Sequence, residues 1–276
     1  MVALFITWNP DPEIFTLGNF AIRWYGLLFA SSFVFGYIIL QRIFKKEGIP
    51  TKLLDDLTTY MIIGTIVGAR LGHVFFYEPA WYLAHPIKIL EVWEGGLASH
   101  GAGIGIILTL IIFSYVKKKP FLWVMDRIVI VVALSGFFIR MGNLMNSEIY
   151  GNVTTLPWGF YFIRSLVPAD ATQPRHPTQI YEALSYLAIF LFLINYYYRK
   201  NGTPPQGFLF GIFLILVFGI RFVIEFLKVP QVGFEQEMAL NMGQILSIPF
   251  ILAGCVIVYL SLRKKFSGTV IAKPQK

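Results

Sequence analysis

Seven runs of mainly apolar residues divide the chain, at about 20–41, 57–77, 96–116, 121–140, 177–198, 206–226 and 240–262. Each reaches or approaches the roughly 20 residues that a helix needs to cross a bilayer's hydrocarbon core. The pattern predicts an all-α integral membrane protein of about seven transmembrane helices, forming one polytopic membrane domain over residues 1–276. The second run is the weakest, because it holds Arg70 and His73.

The polar stretches between the runs predict orientation. Alternate loops carry Arg42, Lys45, Lys46 and Lys52, then Lys117, Lys118 and Lys119, then Arg199 and Lys200, and finally Arg263, Lys264, Lys265, Lys273 and Lys276. The opposite set holds only Arg23, Lys88, Arg164, Arg175 and Lys228. Basic residues are enriched on the cytoplasmic side of short loops. The N-terminus is therefore expected outside and the C-terminus in the cytoplasm. The longer connections, 78–95 and 141–176, fall outside as small extracytoplasmic elements; they are expected to be short helices or strands. Their Trp81, Tyr82, Trp93, Trp158, Phe160 and Tyr161 suit a membrane–water interface.

Composition agrees. Hydrophobic residues make up 56% and charged residues 14%, against roughly 25% charged in a soluble domain. The net charge of +8 would raise nucleic acid as a partner in a soluble protein, but here it lies in orienting loops. Met1 to Phe20 lacks a basic stretch and carries Asp11 and Glu13, so a cleavable signal is not expected. The single Cys255 sits among apolar residues, and one cysteine with four scattered histidines makes no metal site.

Polar residues inside the runs then change the picture from a membrane protein to one with a site. Tyr25 and Arg23 open the first span, and His100 opens the third after Gly95 and Gly96. Arg140 ends the fourth, before Gly142, Asn143, Asn146 and Glu148. His176, Gln179 and Glu182 open the fifth, and Arg221 and Glu225 close the sixth. Intramembrane charges are costly and usually face a partner or a cavity. On the expected topology all lie at one level, in the outer half of the bilayer. Singly, each has a plain structural explanation. Arg221 and Glu225 are i,i+4 and can pair; Asn143 and Asn146 can bridge helices; Arg70 can snorkel or pair with Glu78; Asp126 and Arg127 near the inner face read as structural.

Two arginines suit bidentate recognition of a phosphate. In a membrane cavity this points to a phospholipid headgroup. His100, Glu148, Glu182 and Glu225 are the available general bases. No serine stands in a nucleophile elbow and no cysteine is placed for catalysis. What remains is direct transfer between two bound substrates, or binding without chemistry.

Several segments also carry a resemblance: R-W-Y-G at 23–26, W-E-G-G-L-A-S-H-G at 93–101, R-M-G-N-L-M-N-S-E-I-Y-G at 140–151, H-P-T-Q-I-Y-E at 176–182, R-F-V-I-E-F at 221–226 and M-G-Q-I-L-S-I-P at 242–249. In this order they resemble the bacterial prolipoprotein diacylglyceryl transferases, from about residue 18 to 262. The resemblance implies transfer of the diacylglyceryl group of phosphatidylglycerol to the lipobox cysteine of a prolipoprotein signal peptide, at the outer face of the cytoplasmic (inner) membrane, without a cofactor. It implies phosphate binding by Arg140 and Arg221, with Asn143, Asn146, Glu148 and Gly151 in the phosphatidylglycerol site. Tyr25 and His100 match positions tied to activity, His100 as a base for the thiol, and Glu225 would orient Arg221 or a water. His176, Gln179, Tyr181 and Glu182 are secondary candidates. Two positions depart from the family's habit: Ile139 stands before Arg140 where glycine is common, and Ser99 before His100 where a bulky apolar residue is common. A secondary transporter or a binding subunit would explain a polar pocket, but not this number of ordered motifs.

Overall fold

The computed structural model describes residues 5–18, 20–229 and 238–266. Its long helices are α1 (Trp24–Lys46), α2 (Thr51–Phe76), α4 (Ser99–Val116), α5 (Phe121–Met145), α6 (Thr178–Arg199), α7 (Phe208–Glu225) and α8 (Met242–Leu262), with a short α3 (Pro79–Ala84) after α2. Among the described residues these seven long helices are long and apolar enough to cross a membrane. Ile63, Val67, Phe75, Leu108, Ile112, Leu252 and Val256 are exposed on them, as lipid-facing residues should be. The protein is a multi-pass membrane protein.

The helix ends differ from the apolar runs in a way that matters. Helix α5 continues five residues past Arg140, to Met145. An apolar window closes where polar residues begin, but the backbone ladder does not. The turn stops only where Ser147 takes a left-handed φ of 53°. Arg140 and Asn143 therefore share a helical turn instead of lying at and beyond a helix end.

The chain divides into two compact units, one drawing on residues 1–39 and 126–267, the other on 40–125. In the second unit α2 and α4 cross on glycines. A Cβ on Gly105 would lie 2.2 Å from the Gly64 carbonyl, and one on Gly101 2.6 Å from the Gly72 Cα. Small residues let backbones approach closely in lipid, where packing rather than water drives association. Arg70 is buried there. Its guanidinium donates to the carbonyls of Ile89 (2.9 Å), Gly95 (2.6 Å), Gly96 (3.2 Å), Glu91 (3.2 Å) and Lys88, and lies over the Tyr82 ring. Arg70 thus neither snorkels nor pairs with Glu78. A five-donor fork satisfies turn carbonyls that have no ladder of their own, and so holds the 86–96 segment in its two short 3-10 turns.

In the first unit, β1 (Ile6–Trp8) pairs in parallel with β4 (Phe160–Phe162), and β2 (Glu13–Leu17) forms an antiparallel hairpin with β3 (Phe20–Arg23). The Trp8 indole N–H donates to the Leu144 carbonyl at 2.8 Å. Leu144, Phe160 and Phe162 form a small core to which Trp8, Met141, Tyr150 and Ile180 add. This core fastens β1 and β4 to the end of α5. Asp126 caps α7: its carboxylate accepts from the Gly207 and Phe210 amides at 2.6 and 2.9 Å, taking up donors that a helix start leaves without partners. That is the structural role expected of it.

Candidate active site

The site lies in the first unit and is built on charges that cannot reach water. Glu182, in the second turn of α6, is fully buried. Its Oε2 lies 2.8 Å from the Arg140 Nε, and its Oε1 accepts from the Lys228 ammonium at 2.9 Å. Lys228, itself buried, also reaches Glu225 at 3.2 Å. Arg140 further donates to the Asn143 Oδ1 at 3.1 Å and is hydrogen-bonded to Tyr186. Two cations and two carboxylates thus balance each other, which is the condition for keeping such groups out of water.

Arg221 stands apart from that balance. It makes no ion pair among the described residues, and its Nε is buried without a hydrogen-bond partner. The i,i+4 pairing of Arg221 with Glu225 that the sequence allows is not made, and neither is the contact by which Glu225 would orient Arg221. Glu225 turns to Lys228 instead.

The signature after Arg140 builds a cradle around Glu148. The Asn143 and Asn146 amides both donate to its Oε1, at 2.8 and 3.3 Å. Its backbone carbonyl accepts from the buried Gln179 at 2.7 Å, and the next carbonyl, of Ile149, accepts from Thr178 at 2.9 Å. Ser147 and Ile149, on either side, take left-handed φ angles of 53° and 59°. For a β-branched residue that is a costly conformation, of the kind held at functional sites. Tyr25, in the first turn of α1, packs on Gly142, where a Cβ would come within 2.8 Å of its ring. It lies within electrostatic reach of Glu148 and Arg140.

Gly151 serves close packing. A Cβ there would lie 2.5 Å from the Leu227 carbonyl and 2.8 Å from the side chains of His176 and Thr178. The chain after α7 runs antiparallel against it: Gly151 bridges to Lys228, and the Asn152 amide donates to the Leu227 carbonyl at 2.7 Å. This close approach delivers Lys228 to the carboxylates.

The remaining candidates surround this cluster. The Trp158 indole donates to the Tyr181 hydroxyl at 2.9 Å, and that hydroxyl is 3.3 Å from the His176 Nδ1. Burial lowers the His176 pKa below its ordinary value, favouring the neutral ring as a hydrogen-bond partner. Tyr150 donates to Asp170 at 2.6 Å, and Asp170 pairs with Arg175. Burial first, then that hydrogen bond, raises the Tyr150 phenol above its usual range.

His100 belongs to the other unit. It is exposed in the first turn of α4 and makes no hydrogen bond among the described residues. The glycine beside it, Gly101, is taken up by the crossing with α2. The sequence reading counts Lys228 only as a loop charge and does not single out Tyr186. The available signal for Lys228 was a lone charge in the stretch F-L-K-V, three residues after Glu225. For Tyr186 it was the i,i+4 spacing from Glu182. Among the described residues no group of three or more His, Cys, Asp or Glu side chains is placed to hold a metal ion.

Seven apolar helices define a multi-pass membrane protein, and its buried ionic cluster stands beside an arginine that makes no ion pair among the described residues. The family model for prolipoprotein diacylglyceryl transferase matches residues 12–260. The chain belongs to this family. It is similar to the phosphatidylglycerol–prolipoprotein diacylglyceryl transferase of Tolumonas auensis, at 52% identity over 261 residues, covering 94% of this chain and 98% of the relative. A relative of the same name from Porphyromonas gingivalis is 48% identical, covering 92% and 94% of the two chains. One from Chloroherpeton thalassium is 42% identical, covering 94% and 96%.

Proposed function

We propose that this protein transfers the diacylglyceryl group of phosphatidylglycerol to the lipobox cysteine thiol of a prolipoprotein, the first step of bacterial lipoprotein maturation. The sulfur attacks the glycerol carbon that carries the phosphoester. A carbon–sulfur bond forms as the carbon–oxygen bond breaks, giving a thioether, and the electron pair leaves on glycerol phosphate. The thiol proton passes to a base. The reaction develops charge on the departing phosphate, so donors aimed at that phosphate lower the barrier.

The observation that carries this reading is the asymmetry of the two arginines. Arg140 is oriented through its Nε by Glu182 and through a second nitrogen by Asn143. Arg221 makes no ion pair among the described residues and keeps a buried Nε without a partner. Arg221 takes the phosphate directly, and Arg140 presents the rest of its fork to the same group. Glu148, with Asn143, Asn146 and Tyr25, lines the headgroup side. His100 is the base for the thiol, with Glu148 and Glu225 as the carboxylates next in line. The loop charges support an orientation with the N-terminus and residues 152–175 outside and the C-terminus in the cytoplasm. The site then opens to the outer leaflet of the cytoplasmic membrane, where a lipobox would arrive.

The test is glycerol phosphate release by the purified protein from phosphatidylglycerol vesicles and a lipobox peptide. Release that requires the peptide cysteine supports the reading. No release, or equal release with a Cys-to-Ser peptide, overturns it.

A further inference from the structure

We infer that Lys228 is a positioning residue that keeps Arg221 available for the phosphate by holding the Glu225 carboxylate away from it. Arg221 and Glu225 are one helical turn apart on α7, at the spacing where opposite charges ordinarily pair. They do not pair here. The Glu225 carboxylate lies 3.2 Å from the Lys228 ammonium, which also binds Glu182 at 2.9 Å. All three of these groups are buried, so neither carboxylate can turn to water for a substitute partner. Lys228 is therefore the cation in ion-pair reach of Glu225 among the described residues, its ammonium 3.2 Å from an Oε2 that makes no hydrogen bond. Without it, the nearest uncompensated cation on the same helix is Arg221, whose Nε has no partner in the structure.

The backbone supports the same role. Lys228 lies just past the end of α7, bridged to Gly151 by the close strand-like approach at Leu227. The signature glycine thus fixes where the ammonium sits. Lysine also suits the task. As a point charge with rotatable donors it can serve two carboxylates at once, while Arg140 and Arg221 keep the planar forks. A simple stability role would require only that the buried charges balance. The positioning role requires in addition that Glu225 be prevented from closing on Arg221.

This rests on the proposed phosphate role of Arg221, and its test separates the two. The KM for phosphatidylglycerol and the kcat are measured for wild type, Arg221→Lys, Lys228→Met, Glu225→Gln and Lys228→Met/Glu225→Gln, each checked for membrane insertion. Lys228→Met is expected to raise KM about tenfold or more, the effect of losing one charge-assisted hydrogen bond. The double variant has no carboxylate left to close on Arg221 and is expected to return KM to within about threefold of wild type, a residue within the usual scatter of such differences. The comparison is made on KM, so a kcat effect of Glu225→Gln does not enter. A wild-type KM in Lys228→Met, or a double variant as impaired in KM as the single one, overturns the inference. If Lys228→Met fails to insert, the charge-balanced double variant decides, and a raised KM there overturns it equally. Failure of Arg221 itself to affect KM would instead strike the phosphate role on which the inference rests.

Discussion

Glu182 holds Arg140 by one edge only. The Glu182 Oε2 lies 2.8 Å from the Arg140 Nε, while the other carboxylate oxygen is occupied by Lys228 at 2.9 Å. Together with the hydrogen bond from a second nitrogen to the Asn143 Oδ1 at 3.1 Å, this ion pair holds the guanidinium from two sides. A group that must be rigid before the substrate arrives is best held in this way, since donors aligned in advance need no reorganisation during the reaction.

Lysine should therefore fail at both arginines. Arg140→Lys loses the Glu182 contact through Nε and the Asn143 contact together, and Arg221→Lys loses the planar fork. Turnover of each variant is expected to fall by about 100-fold or more, as for loss of an aligned transition-state donor, with membrane insertion retained. Steady-state glycerol phosphate release checks this. Near-normal turnover in either would reduce that arginine to an ion-pair or packing role.

Gly151→Ala tests the packing role of the signature glycine. Its Cβ would lie 2.5 Å from a backbone carbonyl, which cannot rotate away as a side chain can. Overpacking of this kind costs about 1–3 kcal/mol. Thermal unfolding in detergent should show the loss, and activity should fall with it because the Lys228 backbone is displaced. Unchanged stability and activity would mean that the chain around Leu227 yields freely.

His100 separates two explanations by pH. A thiol with a pKa near 8.5 is only slightly ionised at neutral pH, and a positioned base is worth roughly 10²–10⁴ in rate. On the base role, His100→Gln is slow at neutral pH and recovers as the thiol ionises at higher pH. Full activity at pH near 7 would make His100 structural. Glu148, already held by Asn143 and Asn146, would become the first candidate base.

Topology is tested by single-cysteine labelling after Cys255, which is exposed on α8, has been replaced. A cysteine at Lys118 should react only from the cytoplasmic side, and one in the 152–175 segment from outside. Labelling of position 118 from outside would reverse the orientation and with it the proposed outer-face site.

Much of this architecture was legible in the residues because a bilayer imposes a long apolar run on every crossing helix. The arrangement around those helices was less so. Arg140 read as a helix end because its neighbours are polar, yet α5 continues to Met145 and gives Arg140 and Asn143 a common face. Pairing of Arg221 with Glu225 follows from spacing alone. Pairing of Glu225 with Lys228, three residues on, is just as local, so spacing alone does not say which of the two cations Glu225 takes. Arg70 was recognised as structural, but its partners are carbonyls, which carry no side-chain signature. The parallel pairing of Ile6–Trp8 with Phe160–Phe162 joins segments some 150 residues apart, and no local pattern announces a strand pairing of that range.

The central claim is that a carbon–sulfur bond is made to the lipobox cysteine. It is tested most directly by the intact mass of a lipobox peptide after incubation with the protein and phosphatidylglycerol of known acyl chains. The expected result is a mass gain of one diacylglyceryl group on the cysteine, resistant to neutral hydroxylamine as a thioether is, and formed far more slowly by Arg221→Lys. An unmodified peptide, or a hydroxylamine-labile acyl adduct in its place, would contradict the account.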